Sequence, residues 1–454
     1  MVIIKVMWIL TNSDFKESKK INKDMPLFDY EFLNGKCSKY ETNHLHMYVD
    51  DNIDLENLDD MTLSAYATFV HEYIHYIQHI TSLYDIRTSD MYNRVFAKYR
   101  DYIRNNDIIN LPLKLWEKDN DIHQFIYHFN KIEGNKTTDL NISDIEIDER
   151  EISIAEKEKT AVWIGCYDYD NNKAEEHGFQ FGHRCIVEGM AHAIQSIINS
   201  EINHAIIPYH AVELIIGKTL PDIVQDKKKI AAICLCALLW DNPGFGFFQV
   251  LELIKSHPNW DGKELYKSIV QDYAVSYNGQ QMPYYRLLQL FSNDLKGSFK
   301  VLLGSDLEYY SLVIENCILD CSKCHHRLID FLYDYDICDR EVFREQILNH
   351  YGYPFVDGKN QSAFPLKSIN GNKSAYKETA IIYGIELIMA RVMSGTKECK
   401  RYPVCSSTMF IEGVKCDATE ECLSSQWKKK ESCVFTEALR YFGIKDKKFY
   451  DTMI

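Results

Sequence analysis

The sequence predicts an α-rich α+β fold. Three observations lead there: long segments whose apolar residues recur at helical spacing, a few short alternating segments between them, and a tail that is loop-rich and holds most of the cysteines. At 454 residues the chain has room for two or three domains of roughly 150 residues each. The expected division is a strand-rich segment over 1–60, a core over 61–300 with an acidic insertion at about 107–158, and a C-terminal domain over 301–454 that begins helical and ends in loops.

Residues 1–10 (MVIIKVMWIL) are apolar but short. Lys5 interrupts them and no small-residue cleavage site follows, so they are expected to form a first strand and not a targeting segment. His44 to Asp50 alternates as a strand does. Asp59 and Asp60 are N-cap candidates for a helix from Met61 to about Leu83, whose apolar stripe is Tyr66, Phe69, Val70, Tyr73, Ile74, Ile77 and Ile80. A second helix is expected at about 90–106, followed by the polar insertion with its acidic run from Asp144 to Glu151. Thr160–Tyr169 and Gly178–Phe181 read as strands around the turn Asp170-Asn171-Asn172. A helix is expected from about His183 to Asn199, and further helices fill 210–300, broken at Asp241-Asn242-Pro243-Gly244. The longest apolar run, Ile230 to Trp240, reads as a buried helix, since spanning a bilayer takes about 20 residues. After about residue 350 loops are expected to dominate.

The net charge of −15 is the wrong sign for a polyanion binder, so no nucleic-acid partner is expected. The basic runs Lys227–Lys229 and Lys428–Lys430 read as solvated faces. With no membrane-spanning run, the expected location is the cytoplasm, where the 14 cysteines stay reduced.

The strongest chemical signal is His71-Glu72-Tyr73-Ile74-His75. Two histidines four residues apart lie one helical turn from each other on one face, so their imidazoles can converge on a single ion. The intervening glutamate is placed to take a proton from water at that ion, which is the physical content of the His-Glu-x-x-His pattern. Both histidines fall off the apolar stripe, with Val70 and Ile74 flanking them. His79 lies ~12 Å from His71 along the axis, too far to join the same site, and reads as a supporting or surface residue. A third ligand must come from another element. Glu188, in the helical segment Cys185 to His192, is the leading candidate, with His192, Glu213 and His183 as alternatives.

The two elements His71-Glu72-Tyr73-Ile74-His75 and Glu188-Gly189-Met190-Ala191 resemble the gluzincin superfamily of zinc metallopeptidases, which includes thermolysin and the zinc aminopeptidases. The resemblance covers about residues 61–200. It implies a zincin-like catalytic core in which His71, His75 and Glu188 bind a catalytic Zn2+ and Glu72 is the general base for hydrolysis of a peptide or protein substrate. It also implies an edge strand that holds the substrate backbone, for which Thr160–Tyr169 is the candidate. Two departures stand out. The gap between the motifs is longer than in most of the superfamily, and His192 occupies the position where several families place a ligand-orienting aspartate. Hydrolysis also needs a donor for the developing oxyanion, and Tyr209 and His210 follow Glu188 at a suitable distance. The large additions around such a core suggest a restricted intracellular protein target and leave room for a regulatory protein partner.

Cysteines are unevenly spread, with five before residue 300 and nine after. If 307–334 is one helix, Cys317, Cys321 and Cys324 share a face. A second, structural Zn2+ held by these three with Cys399 and Cys405 would fix a tail that has few apolar runs. Buried reduced thiols are the competing reading, and an iron–sulfur or redox role is a third. For the chain as a whole, the rivals to a peptidase are a zinc-stabilised interaction protein and an iron–sulfur protein built on the late cysteines.

Overall fold

The computed structural model describes residues 3–5, 38–41, 45–115, 119–134, 142–168, 175–304, 307–359, 362–363, 376–395, 397–407 and 418–451. Its first elements are strands β1 (Ile3–Lys5), β2 (Lys39–Glu41) and β3 (His46–Val49). Helix α1 (Leu63–Thr81) is capped by Thr62, whose side chain accepts from the Ala65 amide at 3.1 Å. Asp59 and Asp60, the expected caps, lie one turn earlier in a 3-10 turn, Leu58–Asp60. Ser82 both ends α1 and caps α2 (Leu83–Asn105): its amide donates to the Gln78 carbonyl and its hydroxyl accepts from the Asp85 amide. The second helix therefore starts well before 90, because a single serine serves as C-cap and N-cap in succession.

The segment read as an insertion is built into the structure. It carries β4 (Ile108–Leu111), α3 (Asn120–Glu133), β5 (Asp144–Glu146) and α4 (Glu149–Glu158). Strands β6 (Val162–Asp168) and β7 (Glu175–Phe181) follow and lead into α5 (His183–Ile198). The expected turn at 170–172 lies outside the described residues. A short π turn, Ile206–His210, opens α6 (Ala211–Thr219). Then come α7 (Lys227–Ala237), α8 (Pro243–Ser256), α9 (Gly262–Asp272), β8 (Ala274–Tyr277), β9 (Gln280–Pro283) and α10 (Tyr284–Leu303). The apolar run at 230–240 is buried, as expected.

Residues 307–334 form two helices, not one: α11 (Glu308–Ser322) and α12 (Arg327–Asp334). The break falls at Cys324, which takes a left-handed conformation with φ 59°. Cys317 and Cys321 are one turn apart on α11, while Cys324 lies beyond its end, so the three do not share a helix face. Short helices α13 (Arg340–Phe343) and α14 (Asn349–Tyr351) precede β10 (Phe355–Gly358) and β11 (Ser362–Ala363). The region expected to be loop-rich holds a long helix, α15 (Tyr376–Ser394), then α16 (Tyr402–Ser407), α17 (Glu421–Ser424), α18 (Val434–Tyr441) and β12 (Lys448–Asp451). The protein is thus predominantly helical with small sheets, in line with the predicted α-rich α+β class. Among the described residues, no helix is long and apolar enough to cross a membrane.

Strand pairing ties distant parts of the chain together. β1 runs parallel to β8, β3 parallel to β10, and β4 parallel to β12. One contiguous apolar core extends from Leu45 to Phe449. A buried ionic knot joins β3, β10 and the helical tail. His46 contacts Glu386 through Nδ1 (3.1 Å) and Asp357 through Nε2 (3.2 Å), and Arg401 donates to both Asp357 oxygens at 3.0 and 3.1 Å. Burial alone would drive the His46 pKa down, but the Glu386 and Asp357 carboxylates outweigh it and keep it raised.

Helix α1 packs against α5, and α5 against α7. Backbone contact sets the entry to α5. A side chain at Gly182 would run into the Ile132 carbonyl oxygen and the Glu133 carbonyl carbon, and one at Gly134 would meet the Gln180 carbonyl oxygen at 2.6 Å. Since these obstacles are backbone atoms, they cannot swing aside. Gly182→Ala should lower stability by about 1–3 kcal/mol in chemical denaturation. Gly297→Ala, in α10 with nothing near its added methyl, should be neutral or slightly stabilising.

Candidate metal centre

Helix α1 presents His71, Glu72 and His75, and α5 presents Glu188. His71 Nε2 and His75 Nε2 are 3.3 Å apart. Glu188 Oε2 lies 3.4 Å from the first and 3.3 Å from the second. The three atoms therefore form a nearly equilateral triangle. Ligand atoms on a tetrahedral zinc with bonds of ~2.0–2.1 Å stand roughly 3.3–3.4 Å apart, so the triangle has the size of one face of such a site. Glu188 Oε2 is buried, and the two imidazole nitrogens are its polar neighbours. A buried carboxylate oxygen facing two imidazole nitrogens is an environment that a cation satisfies. Side-chain exposure rises from 5% at His71 to 13% at His75 and 20% at Glu188, so the trio is closed behind His71 and opens toward Glu188.

His71 and Glu72 are both buried, because α5 covers that side of α1. Gln78 orients His75. Its Oε1 stands 2.8 Å from His75 Nδ1, and its Nε2 donates to the Val187 carbonyl at 2.9 Å. One amide thus fixes the ring with Nε2 toward the triangle and ties α1 to the residue before Glu188. The opposite face of α1 is anchored by Tyr66, Tyr73 and Tyr76, whose hydroxyls donate to the carbonyls of Ile337, Gly352 and Tyr351. His79 is not at the surface. It is buried between Ser89 Oγ (2.7 Å) and the Tyr40 hydroxyl (2.8 Å).

Charge in the trio is shared unevenly. Burial lowers the His71 pKa despite the pull of Glu188. Burial also works against the His75 cation, but Glu188 and then Glu72 outweigh it and hold it up to about 9. Glu188 is driven well below the carboxylate range, burial notwithstanding, chiefly by His75 and His71. The pull of Glu72 on His75 places its carboxylate charge near that ring.

The other candidate ligands fall elsewhere. His192 and Glu213 join His210 in a second group whose ligand atoms all lie within 4.8 Å of one another. His210 Nδ1 is 3.1 Å from Glu213 Oε2, and Lys227 pairs with Glu213 Oε1. His204, which nothing in its local sequence marks, lies between the two groups. Its ring is 5.5 Å from that of His71 and 5.4 Å from that of His192, it stacks on Tyr209 at 4.3 Å, and its Nε2 meets Gln195 Oε1 at 2.7 Å. Tyr209 also has its ring 6.0 Å from His71, so of the two expected oxyanion donors Tyr209 faces the trio while His210 engages Glu213.

His183 anchors the start of α5. Its Nε2 is 3.1 Å from Asp85 Oδ2, its Nδ1 is 3.3 Å from Glu133 Oε2, and its ring stacks on Tyr84. Burial opposes its charge, but Asp85 and Glu133 overcome this and raise the pKa to about 10. Glu133, against its own burial, is pulled down to about 2, mainly by His183.

Two expectations need correction. Strand β6 is the central strand of the sheet β5-β6-β7, antiparallel to both neighbours. On the β5 side only Gly165, Cys166 and Tyr167 are paired, so that half of the strand offers no edge to an extended substrate, while Val162–Ile164 have a strand partner on the β7 side alone among the described residues. The lysine runs are not simply solvated: Lys229 donates to the Pro258 carbonyl and Lys429 to Cys422 Sγ, and both are buried.

The cysteines proposed for a second zinc are dispersed. Cys317 and Cys321 are buried on α11, Cys321 beside Tyr266, whereas the Cys399 amide donates to the Cys422 carbonyl in the tail. Cys324 and Cys405 are partly exposed. Among the described residues these five form no group of three close ligand atoms, and the described cysteines are all free thiols. Two surface cavities, of about 400 and 520 Å³, lie away from the histidines. One is bordered by Lys131, Glu151 and Trp163, and the other by Leu111, Lys397 and Asp451. No family model matches the chain, no curated protein is significantly similar to it, and no solved structure matches it.

The His183 network makes stability depend on pH in a definite direction. A raised histidine pKa stabilises fully below about 6.5, where the unfolded chain is also protonated, and the gain is lost as pH rises through about 10. A lowered Glu133 pKa stabilises above about 4.5 and is lost as pH falls through about 2. The stability difference between the wild type and His183→Asn should therefore be largest between about pH 4.5 and 6.5 and shrink on either side. Urea melts across pH will check this; a flat difference would show that the network carries no net charge coupling.

Proposed function

We propose that the chain is a zinc-dependent peptidase with His71, His75 and Glu188 as metal ligands and Glu72 as the general base. The observation that carries this reading is the 3.3–3.4 Å triangle of donor atoms with a buried carboxylate oxygen at one corner. Two imidazoles and one carboxylate are a donor set suited to zinc, and three protein ligands leave a position open for chemistry. Zinc bound there would act as a Lewis acid and make water acidic enough to lose its proton near pH 7.

The chain's own groups do the rest. In this reading the Glu72 carboxylate, which follows His71 in sequence and, against burial and alongside Glu188, pulls the His75 pKa up, takes a proton from the attacking water and returns it to the leaving amine. Gln78 holds His75 in the required orientation. Tyr209, beside His71, is the candidate donor to the developing oxyanion. The zincin-like core that the two motifs imply belongs to the same reading.

Glu72→Gln should retain metal and lose hydrolysis of an unfolded protein substrate by about 10²–10⁴-fold, the usual worth of a positioned base. His71→Ala, His75→Ala and Glu188→Ala should each lose both metal and activity. A Glu72→Gln variant as active as wild type would sink the assignment of the base. Gln78→Met should weaken zinc affinity about 10–100-fold, measured by competition with a chromophoric chelator, because the His75 ring then lacks its orienting partner.

A further inference from the structure

We propose that His192, His210 and Glu213 form a second divalent-cation site, distinct from the His71–His75–Glu188 group. One ligand atom from each lies within 4.8 Å of the other two. His210 Nδ1 and Glu213 Oε2 are 3.1 Å apart, close to the ligand spacing of roughly 3.3–3.4 Å that a tetrahedral zinc imposes.

The independent observation is at His192. This residue is only 4% exposed, and its Nδ1 is buried with no partner. Its Nε2 has only a long 3.4 Å contact, to Ser196 Oγ. A plain helix-start pairing would account for His210 and Glu213, which lie three residues apart at the beginning of α6. It does not account for a buried imidazole with its ring 4.3 Å from that of His210 and its Nδ1 left without a hydrogen bond. A cation shared by the three residues satisfies that ring and the His210–Glu213 pair together.

The donor set names the class of ion. Two imidazoles and one carboxylate suit zinc or cobalt better than calcium or magnesium, which prefer all-oxygen shells. Lys227 occupies Glu213 Oε1 and so fixes the carboxylate with Oε2 toward the histidines. The same ammonium offsets the carboxylate charge, so this site binds its cation more weakly than the first. A filled site would pin the turn that carries Tyr209 onto α5, because His192 belongs to α5 and His210 follows Tyr209 directly.

The test is metal stoichiometry on the full chain, stripped with chelator, reloaded with Zn2+ alone and analysed by mass spectrometry, with Co2+ loading as a spectroscopic check. Wild type is expected to bind two ions per chain, in a tighter and a weaker step. His210→Ala, at a partly exposed side chain that folding should tolerate, and Glu213→Gln should each remove the weaker step and keep the tighter one. His71→Ala should do the reverse. One ion in the wild type, lost in His71→Ala and kept in His210→Ala, overturns this proposal and leaves the peptidase reading standing. One ion lost only in His210→Ala and Glu213→Gln supports the new site and overturns the first. A single ion lost in all of the variants, or no ion at all, overturns a separate second site. The Co2+ spectrum of the wild type decides independently of any variant's folding: two resolvable sets of d–d bands at two equivalents support the site, and saturation at one equivalent refutes it.

Discussion

Two imidazole nitrogens and a carboxylate oxygen, drawn from two helices and held 3.3–3.4 Å apart in a largely closed space, repel one another unless a proton or a metal cation lies among them. Without a metal a proton takes that place: burial opposes the His75 cation, but the Glu188 and Glu72 carboxylates overcome it and raise its pKa to about 9, while burial lowers that of His71. A second proton would place two cations side by side in a poorly solvated pocket. The packing of α1 on α5 is therefore more than hydrophobic burial: it keeps three electron-rich atoms together. Its cost must be met by the rest of the fold.

The supports are visible on both helices. Three tyrosines fasten the far side of α1 to carbonyls near residues 337–352, so a part of the chain distant in sequence sets the depth of the histidines. Gln78 links the α1 histidine to the α5 backbone one residue before the glutamate. The start of α5 is fixed by glycine-to-backbone contact with the end of α3 and by His183, clamped between Asp85 and Glu133. The segment that looks like a polar insertion in the sequence thus supplies Glu133, which helps hold α5 and with it Glu188.

What the sequence disclosed and what it hid follow from the range of each interaction. His71 and His75 were legible because four residues of helix bring them together without help from elsewhere. Glu188 was legible only through its resemblance to a known pairing of motifs, since no local rule places it beside α1. The place of β6 was misread because strand period says nothing about how many neighbours a strand has, and β5, which covers Gly165–Tyr167 on its second side, lies in the acidic stretch. The break at Cys324 depends on a single left-handed residue, for which cysteine gives no warning. Asp59 and Asp60 were good caps by residue type, but Thr62 is where the chain turns into the helix. His204 was invisible: it precedes a turn with no periodic pattern, and only the fold places it between His71 and His192.

Helix α5 is the element common to both histidine groups. Glu188 and His192 are four residues apart, so they project from one face about 6 Å apart along the axis, at 1.5 Å per residue. One addresses α1 and the other addresses α6. The His204 ring lies between the groups, and Tyr209 stacks on that ring with its own ring 6.0 Å from that of His71. A shift of α5 along its axis would open both groups at once, whereas a movement of the turn at Ile206–His210 would disturb the second and displace Tyr209 while leaving the triangle intact. The two groups are thus unequal mechanically. The first is fixed by two long helices and their anchors, and the second hangs partly on a short turn. If chemistry happens at the first, that turn is the part of the site with freedom to adjust to what is bound.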